Sequence, residues 1–107
     1  MNIIVSTLRI PTASHRTEVV RTLTAQLEPT RVQPGCVQCD LYQSVEDPDV
    51  FALVEEWKCQ GDLDVRLRSE AYRSVLGAID LSREQPDIHF DTVSKRGGLE
   101  VIVAARA

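Results

Sequence analysis

The chain has little of the residue types and patterns that mark several specialised classes of protein. Its 107 residues contain 5 Gly, 5 Pro and 3 Cys, too few for a collagen-like, low-complexity or disulfide-framework protein. No apolar run approaches the ~20 residues that cross a bilayer, and the N-terminal segment lacks the basic leader of a signal peptide. Because 16 Asp and Glu outnumber 12 Lys and Arg, binding to nucleic-acid phosphates is disfavoured.

What remains is the composition of one globular domain spanning residues 1–107, with 43% hydrophobic and 26% charged residues. An odd number of cysteines suggests a reducing compartment, so we expect a cytoplasmic protein. A chain of this length can build a hydrophobic core, but only a thin one.

Hydrophobic periodicity predicts the order β-α-β-β-α-β followed by a short last strand. The predicted first helix carries an apolar stripe, begins near a Thr12 or Ser14 cap and ends at Pro29. The predicted strands are 2–10, 36–45, 50–58, 87–94 and 99–104, and the predicted helices are 13–28 and 61–80.

This order predicts the α+β class and the ferredoxin-like split βαβ fold, a four-stranded antiparallel sheet with two helices on one face. Several strands carry apolar residues on both faces, and no further element is left to cover the second face. We therefore expect a homodimer with the two sheets face to face, forming a dimeric α/β barrel.

The cysteines and histidines give only weak signals of chemistry. Cys36 and Cys39 form a CVQC segment, but in a strand this spacing places the two side chains on opposite faces. With Cys59 and one histidine they could make up a zinc set, yet no second CxxC or HxxxH is present. We interpret the cysteines as packing residues, and His15 and His89 as surface or hydrogen-bonded residues.

One group of aromatic and charged residues is more informative. Glu55 and Trp57 share one face of a predicted strand, and Arg66 and Tyr72 follow in the predicted second helix. Strand-to-helix geometry allows Trp57, Arg66 and Tyr72 to surround one space between sheet and helices. This space is either an ordinary core or an apolar pocket for a flat aromatic ligand, and the pattern leaves both interpretations open.

The segment PGCVQCDLYQSVEDPDVFALVEEWKCQGDLDVRLRS resembles the antibiotic biosynthesis monooxygenase family, in particular its small quinol-monooxygenase-like members. The family pattern is a glycine, a strand with a tyrosine, an Asp-Pro turn, and then F-x-L-x-E-x-W before a helix. The matching residues are Gly35, Tyr42, Asp47, Pro48, Phe51, Leu53, Glu55 and Trp57.

The resemblance implies a homodimer with one pocket in each subunit and a reaction between molecular oxygen and an electron-rich phenol, anthrone or quinol. It implies that no metal or flavin takes part. Trp57 and Arg66 would then be the catalytic residues, and Tyr42, Glu55 and Tyr72 would contact the substrate.

Two departures from the family pattern refine this expectation. Many members have a histidine where this chain has Arg66, and an arginine holds an anion but does not act as a base at neutral pH. The haem-degrading branch has an asparagine in the first strand, where this chain has Ser6 and Thr7, so haem degradation is disfavoured. The alternative to an enzyme is a non-catalytic dimer that binds a small ligand on the same fold.

Overall fold

The computed structural model describes residues 2–107 and contains four strands and four helices. The strands form one antiparallel sheet in the order β2-β3-β1-β4. In chain order the elements are β1 Ile3–Pro11, α1 Arg16–Arg31, β2 Cys36–Gln43, β3 Val50–Trp57, α2 Gln60–Arg68, α3 Tyr72–Asp80, β4 Asp87–Val93 and α4 Leu99–Ala105.

This strand order confirms the predicted α+β ferredoxin-like fold. In the register between the central strands, Ile4 lies opposite Trp57 and Leu8 opposite Leu53. Since paired residues in an antiparallel sheet share a face, these four side chains point the same way, toward the helices.

The core lies between this face of the sheet and the helices. Val19 and Leu23 on α1 and Val75 on α3 are buried against Leu8 and Leu53. A second, smaller group consists of Ile4, Trp57 and Leu63. The predicted apolar stripe of the first helix therefore does face the sheet.

The boundaries of the first helix differ from the prediction. The helix begins at Arg16 with no side-chain cap from Thr12 or Ser14, and Pro29 lies inside its last turn. Proline removes one helical hydrogen bond, and its ring crowds the carbonyl four residues earlier, so its presence inside a helix is costly. The last turn is held from outside the helix, because Arg31 donates from Nε to the Cys39 carbonyl at 2.9 Å and from Nη2 to Asp40 at 3.0 Å.

The second predicted helix is wrong as a single element, because it is divided into α2 and α3. Ser69 has an extended backbone at the break. Its hydroxyl donates to the Arg66 carbonyl at 2.7 Å and accepts the Tyr72 N–H at 3.3 Å. The serine side chain thus adds a second hydrogen bond to groups at the end of α2 and at the start of α3 that the Ser69 backbone also contacts.

The predicted C-terminal strand 99–104 is also wrong, because the segment forms α4. Gly98 precedes the helix, and its backbone N–H donates to the Glu100 carboxylate at 2.8 Å. A glutamate that reaches back to the N-terminus in this way favours a helix, and β-branched residues alone do not exclude one. Four large apolar side chains of α4 are 57–72% exposed: Leu99, Val101, Ile102 and Val103.

The sheet face opposite the helices is open in the single chain. Its centre is formed by half-buried residues of the two middle strands, including Val5, Ala52 and Val54. Across this face Arg96 donates to Glu56 at 2.8 Å, so the segment after β4 turns toward β3. None of the helices within residues 2–107 has the length and apolar character needed to cross a membrane.

We predict that Ser69→Ala lowers the free energy of unfolding by about 1 kcal/mol, because the two hydrogen bonds of the Ser69 hydroxyl are lost while the backbone bonds at the break remain. Chemical denaturation measures the change. Ser82→Ala is the matched control, since the buried Ser82 hydroxyl has no hydrogen-bond partner in residues 2–107. Equal losses in the two variants would contradict the proposed role of Ser69.

Candidate functional site

A buried ion pair joins strand β3 to helix α2. Arg66 on α2 donates from Nε to Glu55 Oε1 at 3.0 Å and from Nη2 to Glu55 Oε2 at 3.1 Å. Trp57 donates its indole N–H to Glu55 Oε1 at 3.0 Å. The carboxylate therefore accepts three hydrogen bonds, two of them in the bidentate geometry that suits a guanidinium.

Two further residues complete this group, which we call the Glu55 cluster: Gln26, Glu55, Trp57, Arg66 and Tyr72. The Gln26 carbonyl oxygen accepts from Arg66 Nη2 at 3.2 Å. The Arg66 guanidinium carbon lies 4.9 Å from the centre of the Tyr72 ring, a cation–π distance. The structure thus brings together four of the five predicted site residues.

Four of the five residues of the cluster are closed to solvent, and Gln26 is half-buried. Trp57 and Arg66 are 0% exposed, Glu55 2% and Tyr72 6%. The space between sheet and helices is filled by these side chains, as in the core interpretation of the sequence. Five well-formed clefts of the surface, the α1 side included, are lined by residues outside the cluster.

Two buried donors of the cluster have no partner among residues 2–107, namely Arg66 Nη1 and Gln26 Nε2. Both donors lie next to the hydrogen bond between these residues, in which Arg66 Nη2 donates to Gln26 Oε1. An unpaired buried donor is energetically costly and favours binding of an acceptor oxygen. Sequence analysis did not identify Gln26, since it lies one residue before the apolar Leu27 and in no motif.

Burial is the main reason why the pKa of the Tyr72 phenol is raised, and the negative charge of Glu55 raises it further. The positive charge of Arg66 lowers the pKa of Tyr72, but by less than burial raises it. Tyr72 is therefore protonated at neutral pH and is a hydrogen-bond donor rather than a base.

Tyr42 lies apart from the cluster. It pairs with Ala52 on the open face of the sheet, is 51% exposed and has its hydroxyl 3.3 Å from the Gln38 amide. It lines a cleft of about 490 Å³ on that face, together with Thr7 and Arg9. The expected contact with a ligand bound beside Trp57 is therefore not available within one chain.

The CVQC segment differs from the prediction in geometry. A bulge between Cys36 and Gln38 shifts the register, so that Cys36 lies opposite Trp57 and Cys39 opposite Glu55. Both cysteines therefore face the helices and not opposite sides of the sheet.

All three cysteines are free thiols. Burial, with a smaller effect of Glu55, raises the pKa of Cys39 to about 12, so this thiol is not reactive. No group of three or more His, Cys, Asp or Glu side chains within residues 2–107 is arranged to hold a metal ion.

Comparison with known proteins identifies the family and the fold. The sequence model of the antibiotic biosynthesis monooxygenase family matches residues 1–77. No curated protein matches the sequence.

Solved structures share the fold at low sequence identity. A conserved protein from Methanosarcina mazei is 22% identical with a TM-score of 0.78, over 85% of this chain and 92% of its own. A protein from Nitrosomonas europaea, proposed to be an antibiotic biosynthesis monooxygenase, is 20% identical with a TM-score of 0.77, over 90% and 94%. A protein from Pseudomonas aeruginosa is 22% identical with a TM-score of 0.75, over 91% and 97%.

We predict that Glu55→Gln lowers the free energy of unfolding by about 3–5 kcal/mol, because it leaves the buried Arg66 charge uncompensated. The double variant Glu55→Leu/Arg66→Met removes both charges at similar volume and should lose less than half as much. Urea unfolding followed by the fluorescence of the single tryptophan, at fixed protein concentration, measures both. A double variant less stable than Glu55→Gln would contradict the ion-pair account.

Proposed function

The chain belongs to the antibiotic biosynthesis monooxygenase family, and we propose that it oxygenates a small electron-rich aromatic or quinol without metal or flavin. In such a reaction one oxygen atom enters the product and the other leaves as water, with the electrons supplied by the substrate. The protein then has to bind the substrate, favour its anion and exclude water.

The observation that carries the proposal is the partnerless Nη1 of the buried Arg66. The other two guanidinium nitrogens are held by Glu55, which fixes the direction of the third. A donor fixed in this way can bind a phenolate oxygen, and its positive charge lowers the pKa of the phenol. Gln26 Nε2 is a second buried donor next to it.

No residue of the cluster is free to act as a general base. Glu55 uses both of its oxygens as hydrogen-bond acceptors, and the raised pKa of Tyr72 keeps its phenol protonated. The proposed substrate is therefore one that ionises readily beside a guanidinium, such as an anthrone or a hydroquinone. Trp57 supplies an apolar wall, since its N–H is already bound to Glu55.

The second candidate is a non-catalytic dimer that binds a small ligand. The burial of the Glu55 cluster favours this second candidate, since Trp57 and Arg66 are completely buried. A substrate could reach them only if the helices moved away from the sheet. Oxygen consumption distinguishes the two candidates.

In both cases we propose a homodimer in a reducing compartment such as the cytoplasm. The half-buried centre of the open sheet face and the exposed apolar residues of α4 support association. A seven-residue helix such as α4 is also too short to be stable in water without tertiary contacts. The three free cysteines fit a reducing compartment.

We predict that the purified protein consumes oxygen above the spontaneous rate with an anthrone, a hydroquinone or a naphthol. The folded double variant Glu55→Leu/Arg66→Met should lose this activity, because it lacks the guanidinium. Arg73→Gln is the matched control, since Arg73 is an exposed arginine of α3 that pairs with Glu70. An oxygen electrode measures the rates.

Activity that survives in the double variant would contradict the role of Arg66. Absence of uptake with every member of the panel, together with binding of one of them, would favour the non-catalytic candidate.

We predict a dimer of two 12.0 kDa chains in light scattering. Val54→Glu places a carboxylate at the centre of the open sheet face and should shift the protein toward the monomer. Val45→Glu is the control, because Val45 is fully exposed in the turn between β2 and β3. A wild-type monomer, or a Val54→Glu dimer of unchanged stability, would contradict the face-to-face arrangement.

A further inference from the structure

A cleft of about 680 Å³ lies on the other side of α1 from the Glu55 cluster, between this helix and the adjoining ends of β2 and β3. Its floor is Phe51, and its walls include Val20 and Ala25 of α1. The volume falls within the range of small-molecule sites, and the lining is mainly apolar. We call it the α1 cleft.

The cleft exists because α1 is attached to the hairpin of β2 and β3 at its two ends. At the N-terminal end Arg16 Nη1 lies 3.4 Å from Asp49 Oδ1. At the C-terminal end Arg31 binds the Cys39 carbonyl and Asp40. Between these attachments the helix presents small side chains, including Thr17, Thr24 and Ala25, so that the cleft reaches down to the edge of Phe51, which is otherwise buried.

The charges around the cleft favour an anion. Arg16 and Arg21 both line it, and no carboxylate does. Arg16 is paired with Asp49, whereas Arg21 has no salt bridge among residues 2–107. A chain with net charge −4 thus carries a local excess of positive charge beside an apolar floor.

We propose that the α1 cleft binds a small aromatic anion, with its ring against Phe51 and Val20 and its charged group at Arg21 and Arg16. A ring of one or two fused cycles carrying a carboxylate fits both the volume and the charge. The hydroxyls of Thr17 and Thr24 provide further hydrogen-bond donors at the walls, whereas the Gln43 amide N–H is already bound to the Pro48 carbonyl. The site is separate from the proposed oxygenase site, since it shares none of the residues of the Glu55 cluster.

The probe for this proposal is 2-naphthoate, compared with the neutral 2-naphthamide of the same shape. Calorimetry and ¹H–¹⁵N spectra of the full chain measure the dissociation constant and the backbone amides that shift. We expect saturable binding of 2-naphthoate with shifts at Thr24, Ala25 and Phe51, and at least about fivefold weaker binding of the amide.

Two variants locate the site. Ala25→Glu fills the cleft from an exposed helical position and pairs with Arg21 one turn away, so it should abolish binding. Arg21→Gln should weaken binding of 2-naphthoate about fivefold and leave that of 2-naphthamide unchanged. Arg73→Gln on α3 is the control and should bind as the wild type does.

The proposal is overturned if 2-naphthoate shows no saturable shifts up to about 5 mM, as expected if a second copy of the chain covers the cleft. Binding of acid and amide with equal affinity, shifts confined to the open sheet face, or full binding by Ala25→Glu would also overturn it. Oxygen uptake by Ala25→Glu separates the two proposals, because an intact rate without 2-naphthoate binding shows that the α1 cleft is not the oxygenase site.

Discussion

The pairing of Glu55 with Arg66 is the constraint on which the rest of the core depends. A carboxylate and a guanidinium that are both removed from water are stable together when they face each other with good geometry, and each hydrogen-bonding group left without a partner adds a cost. Glu55 meets this requirement with three bonds, which orient Trp57 on the same strand and Arg66 on α2. Arg66 in turn contacts Gln26 on α1 and the ring of Tyr72 on α3. One ion pair therefore connects the sheet to three helices.

The same pairing limits what the cluster can do chemically. Because Glu55 and the Trp57 indole are bound to each other, neither is available to take or give a proton. In the proposed function, Arg66 Nη1 and Gln26 Nε2 are the donors left to bind a ligand. This favours stabilisation of a bound anion over proton abstraction by the protein. Clefts open to solvent lie elsewhere, among them the α1 cleft and the cleft that Tyr42 lines.

The fold could be predicted because the patterns that define it are local. Alternation in β1 and β3, and the stripe of Val19, Leu23 and Leu27, give the order of elements and the faces that they bury. The errors arose where a single contact overrides such a pattern. Ser69 interrupts a continuous apolar stripe with two hydrogen bonds, Glu100 favours a helix in a β-branched segment, and a bulge brings Cys36 to the face of Cys39.

The candidate site was predictable in part for the same reason. Trp57, Glu55, Arg66 and Tyr72 follow one another closely in the sequence, and a strand followed by a helix brings them together. Gln26 lies 40 residues from Arg66, and no periodicity relates the two. Tyr42 shares a motif with Trp57, but the alternation of β2 places it on the other face of the sheet, next to Ala52.

Hydrogen exchange of the Trp57 indole N–H and the Arg66 Nε–H, followed by NMR in D₂O, tests the central claim most directly. If both donors are held by Glu55 in the core, they should exchange only as fast as the Leu53 backbone amide of β3, by opening of the whole domain. Exchange of either side-chain proton far faster than that amide, in a protein that stays folded, would contradict the claim that this ion pair organises the core.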